Sequence, residues 1–280
     1  MEARTIVLIV FSILFFLALT FTVGFCYLIT PGKKRREIQR YKGVKYAHRG
    51  LHGEGAAENS MTAFARAKEH GFGIELDVQL SADGELVVFH DSTLMRVCGV
   101  DGRVKDFSYS ELGEMYLLGT NDTVPLLKSV LELIDGRVPL LIEIKQEAGS
   151  VDVAEKLVEV IADYKGEFIV ESFNPYALKV LRKKRPDILR GILSTEYSKN
   201  EKYKGKPLYF LLENLLFNFV CRPDFISYEK GGYTNHNLRF IRQTFSTALV
   251  AWTIVSAEEE REAISHGFDT VIFENYIPEQ

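Results

Sequence analysis

The feature that most constrains the fold is a series of short apolar segments, rich in β-forming residues, that alternate with helix candidates. Eight segments predict strands: Val44–His48, Gly73–Val78, Val138–Lys145, Phe168–Ser172, Leu189–Leu193, Asp224–Ser227, Ala248–Ile254 and Thr270–Phe273. Helical periodicity predicts the helices Met61–His70, Val151–Tyr164, Tyr176–Lys184, Leu208–Val220, Leu238–Thr244 and Glu258–Ser265. Because eight strands separated by helices suit a closed parallel sheet, we expect an α/β fold of the TIM (β/α)8 barrel type.

The composition favours a large packed domain and excludes two classes of protein. The chain has 34 basic and 38 acidic residues among 280, so its formal charge of -4 gives no electrostatic reason to bind nucleic acid. Hydrophobic residues make up 46% of the chain, which excludes global disorder. The cysteines, Cys26, Cys98 and Cys221, are too widely spaced for a disulfide framework or a cysteine metal cluster, so we expect reduced thiols.

One apolar segment is too long for a strand and carries no charge. It runs from Ile6 to Ile29, which as a helix would be about 36 Å long and would cross a hydrocarbon core of about 30 Å. A cleavable signal peptide is the alternative, but its apolar region has roughly 7 to 15 residues and ends at a small-x-small site, which is missing here. We therefore expect an uncleaved transmembrane anchor over residues 1–32, a linker over residues 33–43 and the barrel over residues 44–280.

Positive charge is concentrated in the linker that follows the predicted anchor. Its basic residues are Lys33, Lys34, Arg35, Arg36, Arg40 and Lys42, whereas Arg4 and the amino terminus, offset by Glu2, lie on the other side of the apolar segment. Since the cytoplasmic flanks of membrane spans carry an excess of lysine and arginine, this asymmetry predicts a single-pass membrane protein with a cytoplasmic barrel. The same basic residues are suited to binding anionic lipid headgroups.

A ninth apolar segment, Leu86–His90, follows the second strand too closely for a parallel crossover and therefore predicts an antiparallel hairpin. A tight Asp-Gly turn between the two strands would place His90 opposite Glu75 or Asp77. These two carboxylates are two residues apart, so they project from the same face of their strand. The sequence alone thus brings one histidine and two carboxylates together.

A third carboxylate lies near the end of another strand. Glu143 and Lys145 share one face of Val138–Lys145, close to the C-terminal end that carries the active site in a barrel. Three carboxylates at one mouth repel each other unless protons or a cation intervene, and oxygen ligands favour a hard divalent cation. We therefore predict one divalent cation, Ca²⁺ or Mg²⁺, between which the sequence does not choose.

The first strand delivers a second histidine and an arginine to the same mouth. It ends in Ala-His-Arg-Gly, which contains His48 and Arg49. Imidazoles, whose ordinary pKa is about 6.5, are suited to accepting and donating protons near neutral pH. A divalent cation, Arg49 and Lys145 would offset the charge of a phosphate. These roles predict a site that cleaves phosphodiesters.

Together these motifs resemble the glycerophosphodiester phosphodiesterase family. The residues that carry the resemblance are Ala47-His48-Arg49-Gly50, Glu58-Asn59-Ser60, Glu75-Leu76-Asp77-Val78, Val88-Phe89-His90-Asp91 and Ile142-Glu143-Ile144-Lys145. The resemblance implies a TIM barrel with a small insertion at about residues 91–136, and a metal-dependent hydrolase that releases sn-glycerol 3-phosphate and an alcohol. It also implies Glu75, Asp77 and Glu143 as metal ligands, His48 and His90 as the acid/base pair, and Arg49 and Lys145 as phosphate contacts.

Two later motifs agree less closely with the family pattern. Ala251-Trp252-Thr253-Ile254-Val255 has a valine where the family usually has asparagine, and Phe273-Glu274-Asn275-Tyr276 replaces a Thr-Asp-x-Pro ending. Because of these departures, the resemblance does not assign the residues of the headgroup pocket. Trp252 is either a platform that binds the substrate or part of the core.

Three other functions stay open at the level of the sequence. The predicted anchor favours a lysophospholipase D-type activity on lysophospholipids in a bilayer. A catalytically silent barrel that binds phospholipid headgroups is the second alternative, and a phosphatidylinositol phospholipase C-like enzyme is the third. The apolar helix Leu208–Val220 is either buried in the core or a membrane-facing flap that admits acyl chains. The oligomeric state is not predicted.

Overall fold

The computed structural model describes residues 3–34, 36–145 and 150–279, so Arg35 of the predicted basic cluster lies outside the described residues. The strands are β1 (Lys45–Ala47), β2 (Gly73–Leu80), β3 (Leu86–Val88), β4 (Leu140–Ile144), β5 (Phe168–Ser172), β6 (Arg190–Ser194), β7 (Phe225–Glu229), β8 (Ala248–Ile254) and β9 (Thr270–Phe273). The helices are α1 (Ala3–Ile29), α2 (Met61–Glu69), α3 (Met95–Cys98), α4 (Tyr109–Leu112), α5 (Leu127–Ile134), α6 (Asp152–Val160), α7 (Pro175–Lys184), α8 (Pro207–Glu213), α9 (Asn218–Cys221), α10 (His236–Phe245) and α11 (Ala257–Ser265). Every predicted strand is present, with bounds that differ by a few residues.

The strands close into a barrel. Neighbouring strands follow the order β1-β9-β8-β7-β6-β5-β4-β2, and β1 pairs with β2 to complete the circle. All of these pairs are parallel, whereas β3 pairs antiparallel with β2 outside the circle. The predicted TIM barrel is therefore confirmed.

Side-chain caps start several of the outer helices. The side chains of Ser60, Asn174, Asn235 and Ser256 each accept a hydrogen bond from a backbone N–H in the first turn of the helix that follows. Such caps satisfy N–H groups that have no partner inside the helix. Pro175, at the first position of α7, has no N–H to satisfy. Local sequence thus sets where these helices begin.

The predicted hairpin is present between β2 and β3. Val78 pairs with Val88, and the N–H of Phe89 donates to the carbonyl of Asp77 at 2.9 Å. Continuing this register places His90 level with the segment between Glu75 and Asp77, as the sequence predicts. The hairpin therefore brings a histidine to the strand that carries two of the carboxylates.

The segment between β3 and β4 has a small core of its own. Leu94, Val97 and Leu112 of this segment are buried together with Phe89 of the hairpin. In contrast, α5 is part of the main core between the sheet and the outer helices. The small core therefore supports the chain directly next to His90.

A 3₁₀ turn over Glu37–Tyr41 covers the N-terminal end of the barrel. Ile38 and Tyr41 are buried in a cluster with Tyr46 and Phe225, which lie near the starts of their strands. The N–H of Gly43 also donates to the carbonyl of Asp269 at 2.9 Å. Part of the predicted linker, residues 33–43, is thus packed on the barrel.

The last turn of α1 also packs on the barrel, while the rest of this helix is exposed. Ile29 is 0% exposed and belongs to the main core. The side chain of Asn218 donates to the carbonyl of Ile29 at 3.2 Å, and Arg222 donates to the carbonyls of Tyr27 and Thr30 at 3.0 Å each. By length and composition, α1 is able to cross a membrane.

The prediction of one continuous helix over Leu208–Val220 was wrong. The chain instead forms α8, then a left-handed residue, Leu215, with a φ of +61°, and then α9. This turn interrupts the helical hydrogen bonds and directs Leu215 into the main core. No residue of α8 is buried, and Leu208 and Phe210 are 52% and 63% exposed. Of the two alternatives for this segment, core burial does not apply to α8, whereas Leu215 and Val220 after it are buried.

Candidate active site

Three carboxylates meet at the mouth that is formed by β1, β2 and β4. Glu75, Asp77 and Glu143 are 2%, 0% and 7% exposed, and one oxygen of each lies within 4.8 Å of the others. The parallel register pairs Asp77 with Glu143 across the two strands. The strand periodicity that predicts this cluster is therefore realised in three dimensions.

The cluster is strongly perturbed electrostatically. Burial and the neighbouring carboxylates raise the pKa of Glu75 well above its ordinary value, and burial also raises the pKa of Glu143. Burial alone would raise the pKa of Asp77, but Lys145 and other nearby cations outweigh it and hold the pKa below its ordinary value. Lys145 Nζ lies 3.1 Å from Asp77 Oδ1 and 2.8 Å from Glu143 Oε1. One lysine thus faces three acidic groups.

Arg49 and Asn59 fix the orientation of two of these carboxylates. The N–H of Arg49 donates to Glu75 Oε2 at 2.8 Å, and the side-chain amide of Asn59 donates to Asp77 Oδ2 at 2.8 Å. Arg49 has a φ of +56°, a left-handed conformation that is uncommon for a residue other than glycine. Its guanidinium lies 2.8 Å from Glu58 Oε1 and 3.6 Å from Asp77 Oδ2.

His48 follows β1 and is held by a carboxylate that is distant in sequence but directly follows the neighbouring strand β9. Its Nδ1 lies 2.7 Å from Glu274 Oε2, just after β9. The hydrogen bond with His48 lowers the pKa of Glu274 to about 2. His52 Nε2 lies 3.6 Å from the other oxygen of Glu274, and burial lowers the pKa of His52. Nε2 of His48 is therefore the ring nitrogen that is left for a reactant.

His90 is held in a similar way on the opposite side of β2. Its Nδ1 lies 2.6 Å from Asp91 Oδ1, and Arg96 Nε lies 2.6 Å from the other oxygen of Asp91. The side-chain amide of Gln79 donates to the backbone carbonyls of residues 89, 90 and 91. Burial lowers the pKa of His90, with Asp77 opposing this shift. The ring and the backbone that carries it are thus both fixed.

Glu58 connects Arg49, beside the carboxylate cluster, with Arg96, which supports His90 through Asp91. Arg96 donates two hydrogen bonds to Glu58 at 2.7 Å each, and Arg49 donates a third at 2.8 Å. Burial would raise the pKa of Glu58, but the hydrogen bonds and charges of both arginines outweigh it and lower the pKa. Buried carboxylates require such partners, because an unpaired charge is costly away from water.

Sequence reasoning did not identify four of these residues as parts of the site. Glu274, Asp91, Arg96 and Gln79 contact the predicted histidines or the chain that carries them. A usable signal exists for Glu274, which is a carboxylate immediately after the last strand of a barrel, where functional side chains collect. Arg96 has no such signal, because it lies within a short helix of the small core.

Trp252 lies on β8 and packs on Phe173. The two rings are nearly perpendicular, with centroids 5.6 Å apart. Trp252 also packs against the cluster at the strand starts. Its indole Nε1 is buried and has no hydrogen-bond partner among the described residues. The residue therefore contributes to the core, and its predicted contact with a substrate stays a prediction.

A cavity of about 750 Å³ opens beside the charged cluster. His90, Glu143 and Lys145 line one side of it. The other side is mainly apolar and aromatic, and includes Phe173, Tyr176, Leu208, Tyr209, Leu212 and Phe217. This volume is in the range that holds a small organic ligand. The cavity thus joins a polar wall with candidate catalytic groups to an apolar wall.

Residues 48–276 match the Glycerophosphoryl diester phosphodiesterase family. The chain belongs to this family. A glycerophosphodiester phosphodiesterase of Caldanaerobacter subterraneus subsp. tengcongensis is 39% identical over 167 residues, which cover 54% of this chain and 67% of that protein. The lysophospholipase D GDPD1 of Rattus norvegicus is 34% identical over 149 residues, which cover 48% of this chain and 46% of that protein.

A solved structure gives the same result for the fold. The crystal structure of a glycerophosphodiester phosphodiesterase from Thermotoga maritima is 29% identical, with a TM-score of 0.62, over 82% of this chain and 93% of the other. The family prediction from the motifs is therefore confirmed, and with it the enzyme class, a phosphoric diester hydrolase.

The structure brings most of the predicted site residues to one mouth. Arg49, Glu75, Asp77, Glu143 and Lys145 form one cluster through the contacts described above, His90 is connected to it through Asp91, Arg96 and Glu58, and His48 directly precedes Arg49. Trp252 packs on Phe173 of the cavity wall but is not itself among the lining residues. The individual roles of all these residues stay predictions.

Proposed function

We propose that this protein hydrolyses glycerophosphodiesters to sn-glycerol 3-phosphate and an alcohol, with the help of one divalent cation. The observation that supports this most directly is the meeting of three buried carboxylates with two carboxylate-supported histidines at one barrel mouth. The family to which the chain belongs makes phosphodiester hydrolysis the reaction to test first.

The carboxylate cluster fits a hard cation such as Ca²⁺ or Mg²⁺. Its donors are all oxygens, they are buried, and burial together with mutual repulsion raises the pKa of Glu75. Glu75, Asp77 and Glu143 would hold the cation. A bound cation would supply positive charge that stabilises negative charge on the phosphate oxygens. Arg49 and Lys145 would contact the phosphate as further cations.

The two histidines are arranged for proton transfer. Because Nδ1 of each ring forms a hydrogen bond with a carboxylate, Nε2 of each ring is the nitrogen available to the reactants. In the proposed reaction one Nε2 accepts the proton of the attacking glycerol hydroxyl, and the other donates a proton to the alcohol oxygen as its bond to phosphorus breaks. Water then opens the resulting cyclic phosphate, with the proton transfers reversed, to give glycerol 3-phosphate. Glu274 and Asp91 keep the rings in place and stabilise their protonated forms.

The test is release of glycerol 3-phosphate by the full chain in detergent. Substrates are glycerophosphocholine, glycerophosphoethanolamine and glycerophosphoglycerol, each with Ca²⁺, Mg²⁺ or EDTA. We expect metal-dependent release that falls by about 10²- to 10⁴-fold in His48→Gln. The matched control is His236→Gln, which changes an exposed histidine on α10. A folded, metal-loaded protein that releases nothing would favour the silent headgroup-binding barrel, and turnover in EDTA would favour a phosphatidylinositol phospholipase C-like mechanism.

A lysophospholipase D-type activity is a second candidate. It is supported by the cavity, which has an apolar wall and a volume larger than a small leaving alcohol such as choline would fill. The likeness to the rat lysophospholipase D covers part of both chains. The test is the rate on lysophosphatidylcholine relative to glycerophosphocholine. A rate on the lipid that is negligible in comparison would remove this candidate and leave the first.

We also propose that α1 is a single-pass anchor and that the barrel lies on the cytoplasmic side. The length and apolar surface of α1 support the first point, and Lys33, Lys34 and Arg36, directly after the helix, support the second. Carbonate extraction of membranes tests the anchor, and protease protection of a C-terminal tag in sealed cells tests the side. Release of the protein by carbonate would contradict the anchor.

A further inference from the structure

The surface formed by residues 199–212 is both apolar and basic, and it lies at the rim of the cavity. Within it, α8 exposes Leu208 and Phe210, which are 52% and 63% accessible. Leu208 and Phe210 are two residues apart on α8, so they expose apolar surface on different sides of one helix, and large exposed apolar surface beside a cavity is a feature of interaction sites. We call residues 199–212 the rim surface.

Lysines precede the exposed apolar groups along the chain, and two of them pair with acidic side chains, Lys199 with Glu196 and Lys204 with Glu201. Lys199, Lys202, Lys204 and Lys206 are all exposed, and Glu201 is the one acidic residue among residues 199–206. Tyr197, Tyr203 and Tyr209 pack against each other, with ring centroids 4.3 to 5.5 Å apart. Lysines favour anionic lipid headgroups, tyrosines favour the interface, and leucine and phenylalanine favour the acyl region.

The rim surface is joined to the point where α1 leaves the barrel. After α8 the chain turns at Leu215, which packs in the same core as Ile29, and Asn218 then hydrogen-bonds to the carbonyl of Ile29. The exposed part of α1 begins next to this contact. The rim surface and the residues that hold the end of α1 therefore belong to one connection of the barrel, between β6 and β7.

The cavity lies directly behind α8. Leu208 and Leu212 line it on the side of the rim surface, and His90, Glu143 and Lys145 line it on the other side. An acyl chain that passes α8 would therefore extend along the apolar wall while its phosphodiester reaches the charged cluster. Leu208 is both exposed and part of the cavity lining, as is Tyr176 of α7.

We propose that the rim surface docks on the bilayer that α1 enters, with Leu208 and Phe210 among the acyl chains, and that a single-chain phospholipid enters the cavity from the bilayer past α8. The entry of substrate rests on the proposed function. The docking rests on the proposed membrane anchor α1 but not on the proposed activity; it is argued from the exposed residues of the rim surface and from their place in the connection between β6 and β7 that holds α1.

Depth measurement tests the docking without any assay of activity. The full chain is placed in nanodiscs of phosphatidylcholine and phosphatidylserine with brominated acyl chains. Trp252, the single tryptophan, is changed to Phe, and one new tryptophan is introduced by Phe210→Trp or, as the control, by Ile264→Trp. Ile264 is 46% exposed and lies on α11. We expect strong quenching at position 210 and little at position 264. No quenching at position 210, or equal quenching at both positions, would overturn the docking.

Activity tests the entry of the lipid. The readout is the rate on lysophosphatidylcholine in nanodiscs divided by the rate on soluble glycerophosphocholine. We expect Phe210→Glu to lower this ratio about tenfold, because a charge is expelled from the acyl region. Ile264→Glu should keep the ratio of the unaltered protein. An unchanged ratio in Phe210→Glu would overturn lipid entry past α8.

The two hypotheses fail in different ways. If the unaltered protein hydrolyses glycerophosphocholine but not the lipid, the proposed function holds and lipid entry is overturned. If it hydrolyses neither substrate, the proposed function fails together with lipid entry, and quenching alone decides whether the rim surface docks.

Discussion

The two sides of the barrel mouth differ in how their side chains are held. On the side of β1, β2 and β4, buried carboxylates and cations contact each other at distances of 2.7 to 3.6 Å. On the side of β5 and α8, the wall consists mainly of aromatic and aliphatic groups, and α8 has no buried residue. The first side is a fixed network, and the second is an apolar surface open to solvent.

This difference has an energetic meaning. In a buried network of charges, removal of one partner leaves another charge without compensation, which costs several kcal/mol. An apolar wall is held by van der Waals contacts, so the energetic cost of a substitution depends on the change in side-chain volume. Such a wall tolerates substitution by apolar side chains of similar size. The charged side therefore suits a fixed reaction, while the apolar side suits selection among leaving groups. If this is correct, variants on the two sides will separate catalysis from substrate preference.

The largest effect is expected from His90→Gln on the charged side. Glutamine cannot transfer a proton at neutral pH, so kcat on glycerophosphocholine should fall about 10²- to 10⁴-fold. Steady-state kinetics with saturating metal measure this, and thermal unfolding checks that the protein is folded. The control is again His236→Gln. Near-normal kcat in folded His90→Gln would exclude His90 from the proton-transfer pair.

The next effect concerns a buried carboxyl that is paired in register with Glu143 of the charged side and lies outside the cavity lining. Glu171 of β5 is 1% exposed, burial raises its pKa to about 8, and the hydroxyl of Ser227 donates to it. This folded-state pKa lies above the ordinary 4.5, so the folded state binds the Glu171 proton more tightly than the unfolded state does. The contribution of this proton to the free energy of unfolding is complete below about pH 4.5 and is lost as the pH rises through 8. Glu171→Gln keeps an acceptor for Ser227 but has no charge, so this pH dependence should disappear.

Urea unfolding in EDTA at pH 5 and pH 8.5 measures this change. Between pH 5 and pH 8.5 we expect the free energy of unfolding of the metal-free unaltered protein to fall by on the order of 3–4 kcal/mol more than that of Glu171→Gln. Glu132→Gln, at an exposed glutamate on α5, is the control. Equal losses in the unaltered protein and Glu171→Gln would show that the buried carboxyl is not protonated in the folded state.

A smaller effect is expected for Glu274→Gln, which changes the support of His48. The amide keeps a hydrogen-bonding group but removes the charge that stabilises a protonated ring, so kcat should fall about 10- to 100-fold with little change in KM. Glu279→Gln, at an exposed glutamate nearby, should have normal kinetics. A rise in KM alone would mean that Glu274 contacts the substrate rather than positioning His48.

The smallest effect is expected from Leu212→Trp in the apolar wall. The larger side chain should fill part of the cavity and lower the rate on lysophosphatidylcholine, relative to glycerophosphocholine, about three- to tenfold. Ile264→Trp is the control, because Ile264 is 46% exposed on α11 and lies outside the cavity lining. A fall in both rates by the same factor would mean that the two sides of the mouth are not independent.

The charged side could be predicted from sequence because strand periodicity and barrel closure determine it. Glu75 and Asp77 share a face through the two-residue repeat of a strand, and the hairpin turn sets the level of His90. Glu143 follows because the C-terminal ends of parallel strands meet at one mouth. These rules need no knowledge of side-chain conformation.

The supporting contacts could not be predicted in the same way. Glu274 lies 226 residues from His48 in sequence, and their contact depends on the loop after β9 and on both rotamers. On the apolar side, hydrophobic periodicity detects that residues 208–220 are apolar. It does not detect the left-handed conformation of Leu215, which divides the segment and leaves α8 exposed.

The packing of the last turn of α1 has a mechanical consequence. Ile29 is enclosed by the core, and the guanidinium of Arg222 lies 4.6 Å from the centre of the Tyr27 ring while hydrogen-bonding to the same turn. A helix attached by a flexible tether would let the barrel rotate freely, whereas these contacts resist rotation about the helix axis. The tilt of the catalytic face relative to α1 is therefore encoded by side-chain packing and not by the length of a linker.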